Sequence, residues 1–309
     1  MLEPAVVALR LLQYAGAMVL MGSSLFFIYA LPSSGDGSAA QSRWTRPLLI
    51  SAGLVLALAA ILGLAAQSSV LAGSVSEGLK VETLKAVVSG MDLGKAAIVR
   101  AVAAILAVVC LVAFKPDRRS WTVAAALGAI ATASLAWMGH GAATEGALGQ
   151  LHLASDVLHA LAAAFWIGAL AAFFGLLAAP PAASAARQTV YRALHGFSGI
   201  GSALVAVLVV TGLINSWILV GLDHLSALWT TPYGRLLSLK LILFIAMLGL
   251  AAANRFRHTP ALGRVLGDNT SSEPALRELR RSVVLETALG VGVLATVAWL
   301  GALAPPMAM

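Results

Sequence analysis

Residues 139–166 read GHGAATEGALGQLHLASDVLHALAAAFW, from Gly139 to Trp166. This stretch holds three of the six histidines in the chain, His140, His152 and His159, together with Glu145, Asp156 and Trp166. From His152 onward it continues as Ala, Leu, Phe and Gly, the composition of a helix that starts at a membrane surface and runs into hydrocarbon. At 100° per residue, His152, Asp156, His159 and Trp166 fall within an arc of roughly 80°. One polar stripe therefore enters the lipid on an apolar rod. Ionisable groups at membrane depth are costly unless they face a partner or a wet cavity, so the stripe predicts a helix turned into a bundle.

The rest of the chain agrees with a membrane setting. Apolar residues make up 60% of the 309 and charged residues only 11%, against about 25% charged in soluble domains. Runs of roughly 17 to 25 apolar residues cross a bilayer as helices. Eight are present, at about 5–31, 47–72, 97–114, 120–138, 151–179, 197–221, 236–254 and 282–304. The expected fold is an all-α polytopic membrane protein, a single transmembrane domain over 1–309 with no soluble domain inserted. The first run is long enough to span and no A-x-A site follows a short apolar region, so it reads as a helix rather than a cleavable signal. Residues 74–95 alternate charged and apolar positions at helical spacing. That pattern predicts an interfacial helix with Leu79, Leu84, Val87 and Val88 on the headgroups and Lys80, Glu82 and Lys85 in water.

The net charge of +7 sits mostly in short loops between apolar runs, which the positive-inside effect explains without a nucleic-acid partner. Placing the N-terminus outside puts 13 of the 20 Lys and Arg residues on the cytoplasmic side and 7 on the other. This predicts that both termini are periplasmic. The loop with His140 and Glu145 carries no Lys or Arg and then faces outward too. Cys110 is the only cysteine, which excludes an internal disulfide and a CxxC metal motif.

His152 and Asp156 are four apart, and Asp156 and His159 three apart, so either pair can hold one metal ion from adjacent turns. His152 and His159 are separated by about 10 Å of rise, too far for a shared coordination sphere. Further ligands must come from another helix, and the end of the fourth run offers Met138 and His140. Imidazole with carboxylate suits Cu(II) or Zn(II), and imidazole with thioether suits Cu(I). The same spacing also fits packing histidines with Asp156 fixing one tautomer; the spacing leaves both open.

The run MGHGAA (Met138 to Ala143), followed by HLASDVLHALAAAFWIGAL (His152 to Leu170), resembles the CopD/PcoD family of inner-membrane copper resistance and copper transport proteins. The likeness continues through RLLQYAGAMVLMGSSLF (Arg10 to Phe26), Gly94 through Arg100, Phe197-Ser198, TGLINSW (Thr211 to Trp217), YGRLLSLK (Tyr233 to Lys240), Asn254-Arg255, RRSVVLETALG (Arg280 to Gly290) and Pro305-Pro306. The resemblance implies eight spans in a bacterial inner membrane and movement of copper ions, Cu(I) or Cu(II). It also implies a periplasmic copper-binding partner of the CopC type. On this reading copper meets a metal-receiving region of His140, His152, Asp156, His159 and Met138. The chain is a carrier rather than an enzyme, with no P-loop or phosphorylated-Asp motif to supply energy. The competing reading is a membrane oxidoreductase with b-type haem, for which His159 beside Ala162 and Ala163 supplies an axial ligand.

Other polar residues have plainer expectations. Glu286 lies near the basic run Arg277 to Arg281 and is expected to ion-pair there. Asn215 must find an interhelical partner. Arg100 and Lys240 are expected to snorkel to the outer surface, and His195, His224 and His258 to lie in solvated loops.

Overall fold

The computed structural model describes residues 3–31, 38–139, 142, 144, 146–178, 184–267 and 271–308. In chain order the helices are α1 (Glu3–Ala30), α2 (Ser38–Leu71), α3 (Val75–Gly78), α4 (Val81–Gly90), α5 (Asp92–Ala113) and α6 (Arg118–Ala133). A 3₁₀ turn, Ser134–Met138, prolongs α6. Then come α7 (Gly146–Ala178), α8 (Ser184–Val220), α9 (Ala227–Thr230) and α10 (Pro232–Ala253), a π-helical turn (Asn254–His258), α11 (Thr259–Gly267) and α12 (Glu273–Leu300). Eight of these segments are long and apolar enough to cross a membrane, and no strand occurs among the described residues.

Local capping chemistry marks the start of some of these helices. Asp117 accepts from the backbone N–H of Ser120 at 2.8 Å, and the Ser120 hydroxyl meets the Asp117 N–H, closing a capping box at the start of α6. The same N–H holds the Asp117 carboxyl below its ordinary range. Thr231 caps α10 by accepting from Gly234 N at 3.0 Å. The last carbonyls of α5 are met from another helix: Arg46 donates Nε to Leu111 O at 2.8 Å and its Nη2 to Val112 O. A cation at a helix C-terminus also complements its dipole.

Three connections differ from expectation. Residues 74–95 form two short helices and the start of α5 rather than one interfacial helix. Gly73 turns the chain at φ +73°, and Ser68 Oγ donates to Gly78 O at 2.7 Å, clamping α3 to the end of α2. A new helix then begins after the extended Lys80. Leu84, Val87 and Val88 do turn inward on α4, with Glu82 and Lys85 outward, but Leu79 is exposed in the break. The basic stretch after the seventh span is mostly helical, as the π turn, α11 and the start of α12. Likewise α8 is already helical by Ser184, so His195 lies exposed on a helix rather than in a loop. Helical hydrogen bonding therefore continues past the ends of the apolar runs into the polar flanks.

α1 is the hub, packed against α2, α6, α7 and α12. Its approach to α7 is a main-chain contact: a Cβ on Gly22 would lie 2.0 Å from Ala164 O, and one on Gly168 2.4 Å from Gly22 Cα. Ser23 Oγ donates to Gly168 O at 2.7 Å in the same crossing. Small residues that let backbones approach are a principal source of helix adhesion in lipid. An aromatic cluster of Phe26, Phe27, Trp44 and Phe173 fills the neighbouring layer edge to face. The second half is looser. α8 packs on α7 and α10 on α12, while α8 and α10 scarcely touch, so they flank a groove whose floor is α7 and α12.

Gly168→Val is expected to destabilise the bundle by about 1–3 kcal/mol or more through overpacking, lowering the melting temperature in detergent and the monodisperse yield. Gly199→Ala, where an added Cβ meets nothing within 4 Å, leaves both unchanged.

Candidate metal-handling site

The polar stripe of α7 opens onto a cavity of about 170 Å³, lined among others by Tyr14, Met18, His152, Asp156, His159, Asn215, Tyr233 and Lys240. α1 contributes Tyr14 and Met18, α7 the two histidines and Asp156, α8 Asn215, and α10 Tyr233 and Lys240. His152 is 1% exposed, and its Nδ1 lies 2.9 Å from Thr144 Oγ1. Asn215 Nδ2 donates to Asp156 Oδ1 at 3.4 Å, which gives Asn215 the interhelical partner it needs. The other side of that amide, Oδ1, is buried without a hydrogen-bond partner among the described residues.

His159 is held in a defined way. Thr211 Oγ1 donates its only proton to Val207 O at 2.6 Å, so toward His159 Nδ1, 2.9 Å away, it must act as acceptor. The imidazole therefore carries its proton on Nδ1, and Nε2 keeps its lone pair. Metal-binding histidines are oriented in this manner, by a hydrogen bond from the nitrogen that does not bind. A second tie between the same helices, Ser155 Oγ to Thr211 O at 3.1 Å, fixes the register.

The sequence-derived residues do not all gather here. His140 lies outside the described residues. Met138, 8% exposed, faces away: it lines a small separate cavity with Arg100 and Gln13, its Sδ 3.7 Å from Arg100 Nη1. The thioether at the histidine cavity is that of Met18. Tyr14 and Met18, four apart on α1, form one face, a signal legible in the sequence but not singled out. No three of His, Cys, Asp and Glu among the described residues lie close enough to hold one ion together. The arrangement is a row of donors rather than a closed cage.

Residues 1–150 match the model for the copper resistance protein D-like N-terminal domain, and residues 191–300 the model for copper resistance protein D. Copper resistance protein D of Pseudomonas syringae pv. tomato is 35% identical over 310 aligned positions, covering 99% of this chain and 98% of that protein. The chain belongs to the copper resistance protein D family. Inner membrane protein YebZ of Escherichia coli K12 is 29% identical over 171 positions, 55% of each chain. No solved structure matches. With eight apolar spans and these relatives, this member of the family is a multi-pass inner-membrane protein.

Three polar residues of this family member differ from expectation. Lys240 does not snorkel; it turns inward and lines the same cavity as Asp156 and His159. The connection before α7 carries no Lys or Arg, but the cavity itself has a cationic residue, Lys240, in its lining with Asp156. Arg100 is 2% exposed. It donates Nε to Ser134 Oγ at 3.1 Å, Nη2 to Ser134 O at 2.8 Å and Nη1 to Gln13 Oε1. Carbonyls at the buried end of α6 have no water to turn to, so the guanidinium is drawn in to satisfy them. Glu286 makes no ion pair with the Arg277 to Arg281 run. It is 3% exposed and accepts from Trp166 Nε1 and Asn254 Nδ2, both at 2.9 Å, because its position on α12 faces α7 and α10 rather than the surface.

Arg100→Leu strands the buried oxygens of Gln13 and Ser134 and is expected to cost about 3 kcal/mol, read as a lowered midpoint in denaturation of the detergent-solubilised protein. Metal affinity of the fraction that remains folded stays at the parent value.

Proposed function

We propose that this protein moves copper, Cu(I) or Cu(II), across the bacterial inner membrane and receives it at the cavity of His152, Asp156 and His159. The observation that carries the reading is His159, whose Nδ1–H is committed to Thr211, leaving Nε2 as a ligand beside a carboxylate. Asn215 Oδ1, buried and without a partner among the described residues, adds an acceptor that a cation would satisfy. Met18 offers the thioether that Cu(I) prefers. The set drawn from the sequence also contains His140, at the end of the fourth apolar run, and Met138, which lines the separate cavity with Arg100.

A row of donors suits passage better than storage. An ion bound by two or three ligands at a time can be handed from His152 to Asp156 and then His159 without escaping a deep well. Lys240 serves as the resident counter-charge of Asp156 and yields to the arriving cation, which keeps the empty cavity near neutrality at membrane depth. Relatives in the copper resistance protein D family support copper as the cargo. The basic-residue count supports periplasmic termini and a periplasmic entry, and so reception from a CopC-type copper protein on that side. The competing haem b reading has the apolar cavity of about 400 Å³ beside His159, lined by Trp166, Leu213 and Phe244, in its favour. That cavity offers a single imidazole, so the copper reading is preferred.

Copper binding in detergent, followed across pH, tests the site. Neutral imidazole is the ligand, so a proton competes with the metal for it and affinity falls on acidification. His159→Ala and Asp156→Asn each weaken binding, and Thr211→Val, which removes the acceptor that fixes the tautomer, weakens it about 10- to 100-fold. Unchanged stoichiometry and affinity in all of these variants would sink the reading, as would a Soret band at one haem per chain.

Orientation has its own measurement. In a Cys110-free background, an impermeant thiol reagent applied to intact spheroplasts should label a cysteine placed at position 145 and miss one placed at position 264. The reverse pattern inverts the topology.

A further inference from the structure

The half of the bundle away from His152 holds a second polar centre that copper reception leaves unused. Glu286 on α12 is 3% exposed. Its Oε1 accepts from Trp166 Nε1 and its Oε2 from Asn254 Nδ2, each at 2.9 Å. Neither donor is charged. Asn254, 9% exposed, opens the π-helical turn at the end of α10, and its Oδ1 is buried with no hydrogen-bond partner among the described residues. All three residues line a cavity of about 300 Å³. π turns inside helices recur at functional sites.

A buried carboxylate supported only by neutral donors lacks the counter-charge that would keep it permanently ionised. The surrounding elements supply little. α7 presents Trp166, α8 presents Ser198 and Ser202, and α11 presents Thr259. Arg255 also lines the cavity, but it is exposed and its Nη1 is bonded to Ser202 Oγ. α1, which also packs on α12, places Arg10 against Gly301, about 22 Å along α12 from Glu286. Arg280 and Arg281 on α12 itself are exposed.

We propose that Glu286 and Asn254 form a proton-binding site. The Asn254 amide serves both charge states. With Glu286 ionised, Nδ2–H donates to Oε2. When a proton delivered from bulk solvent as hydronium bonds to Oε2, releasing water, a half-turn of the amide brings Oδ1 round to accept from the new O–H. Trp166 Nε1 stays on Oε1 throughout. The unsatisfied Oδ1 is the acceptor that the protonated state needs and that a fixed carboxylate would not. Trp166 also lines the cavity that His159 lines, about 10 Å from it along α7. A proton at Glu286 therefore acts on a wall shared with the outer groove.

This inference stands on the geometry around Glu286 and does not require copper to be the cargo. The test is labelling of the full chain in liposomes with dicyclohexylcarbodiimide, an apolar reagent that attacks protonated carboxyls, followed by peptide mapping across pH ~5 to ~9, the range buried Glu residues reach. The expected result is an adduct on Glu286 at low pH that declines about tenfold per pH unit above its midpoint. The adduct is lost in Glu286→Gln and retained in Asp156→Asn. Asn254→Ala keeps the carboxyl but removes a donor to its charged form, so labelling persists to higher pH. Should Glu286→Gln fail to insert, the parent and Asn254→Ala profiles decide alone. The proposal is overturned if Glu286 is unlabelled throughout, if its labelling ignores pH, or if the Asn254→Ala profile overlays the parent. A protein that binds no copper yet shows the pH-dependent adduct removes the copper reading and leaves this one.

Discussion

The main-chain contact between α1 and α7 at Gly22 and Gly168 is the constraint on which the rest of the molecule hangs. Lipid supplies no hydrophobic drive between helices, so close approach and interhelical hydrogen bonds must do the work. Once these two backbones touch, the rotation of α7 is set. Its polar stripe is then forced to one side, toward α8 and α10, and the tie from Ser23 to Gly168 O holds it there. Everything of chemical interest lies along that stripe or across from it.

The two halves of the bundle divide the labour accordingly. α1, α2, α5 and α6 make a tightly packed body in which even Arg100 is consumed by structure, its guanidinium committed to the oxygens of Gln13 and Ser134. α8 and α10 attach to that body through α7 and α12 and barely to each other. The groove between them carries His159 and Lys240 toward one face and Glu286 with Asn254 toward the other, with Trp166 at the partition. Helices with few packing partners can shift with less loss of packing than helices locked on several sides.

Much of the frame is legible in the order of residues. The eight apolar runs become the eight spans, because bilayer thickness translates directly into helix length. The shared face of His152, Asp156, His159 and Trp166 follows from helical periodicity alone, and the need of Asn215 for a partner follows from the absence of water in the membrane. Met138 is not legible in the same way. α6 ends in a 3₁₀ turn at Ser134–Met138, and three residues per turn in place of 3.6 rotate a side chain away from the face that α-helical spacing predicts. Met138 points to Arg100, and Met18 stands at the cavity instead.

What the sequence determined by itself is therefore local or bilayer-scaled: helix number, helix type, the polar face of α7 and membership of an inner-membrane family. What only tertiary structure decided is which polar groups meet. Lys240 and Asp156, which line one cavity, are separated by 84 positions, and the bonded pairs Trp166 with Glu286 and Asn254 with Glu286 by 120 and 32. No periodicity links such residues. Their encounters depend on how far each helix is turned about its own axis, and in a membrane that rotation is fixed by where glycine lets two backbones touch.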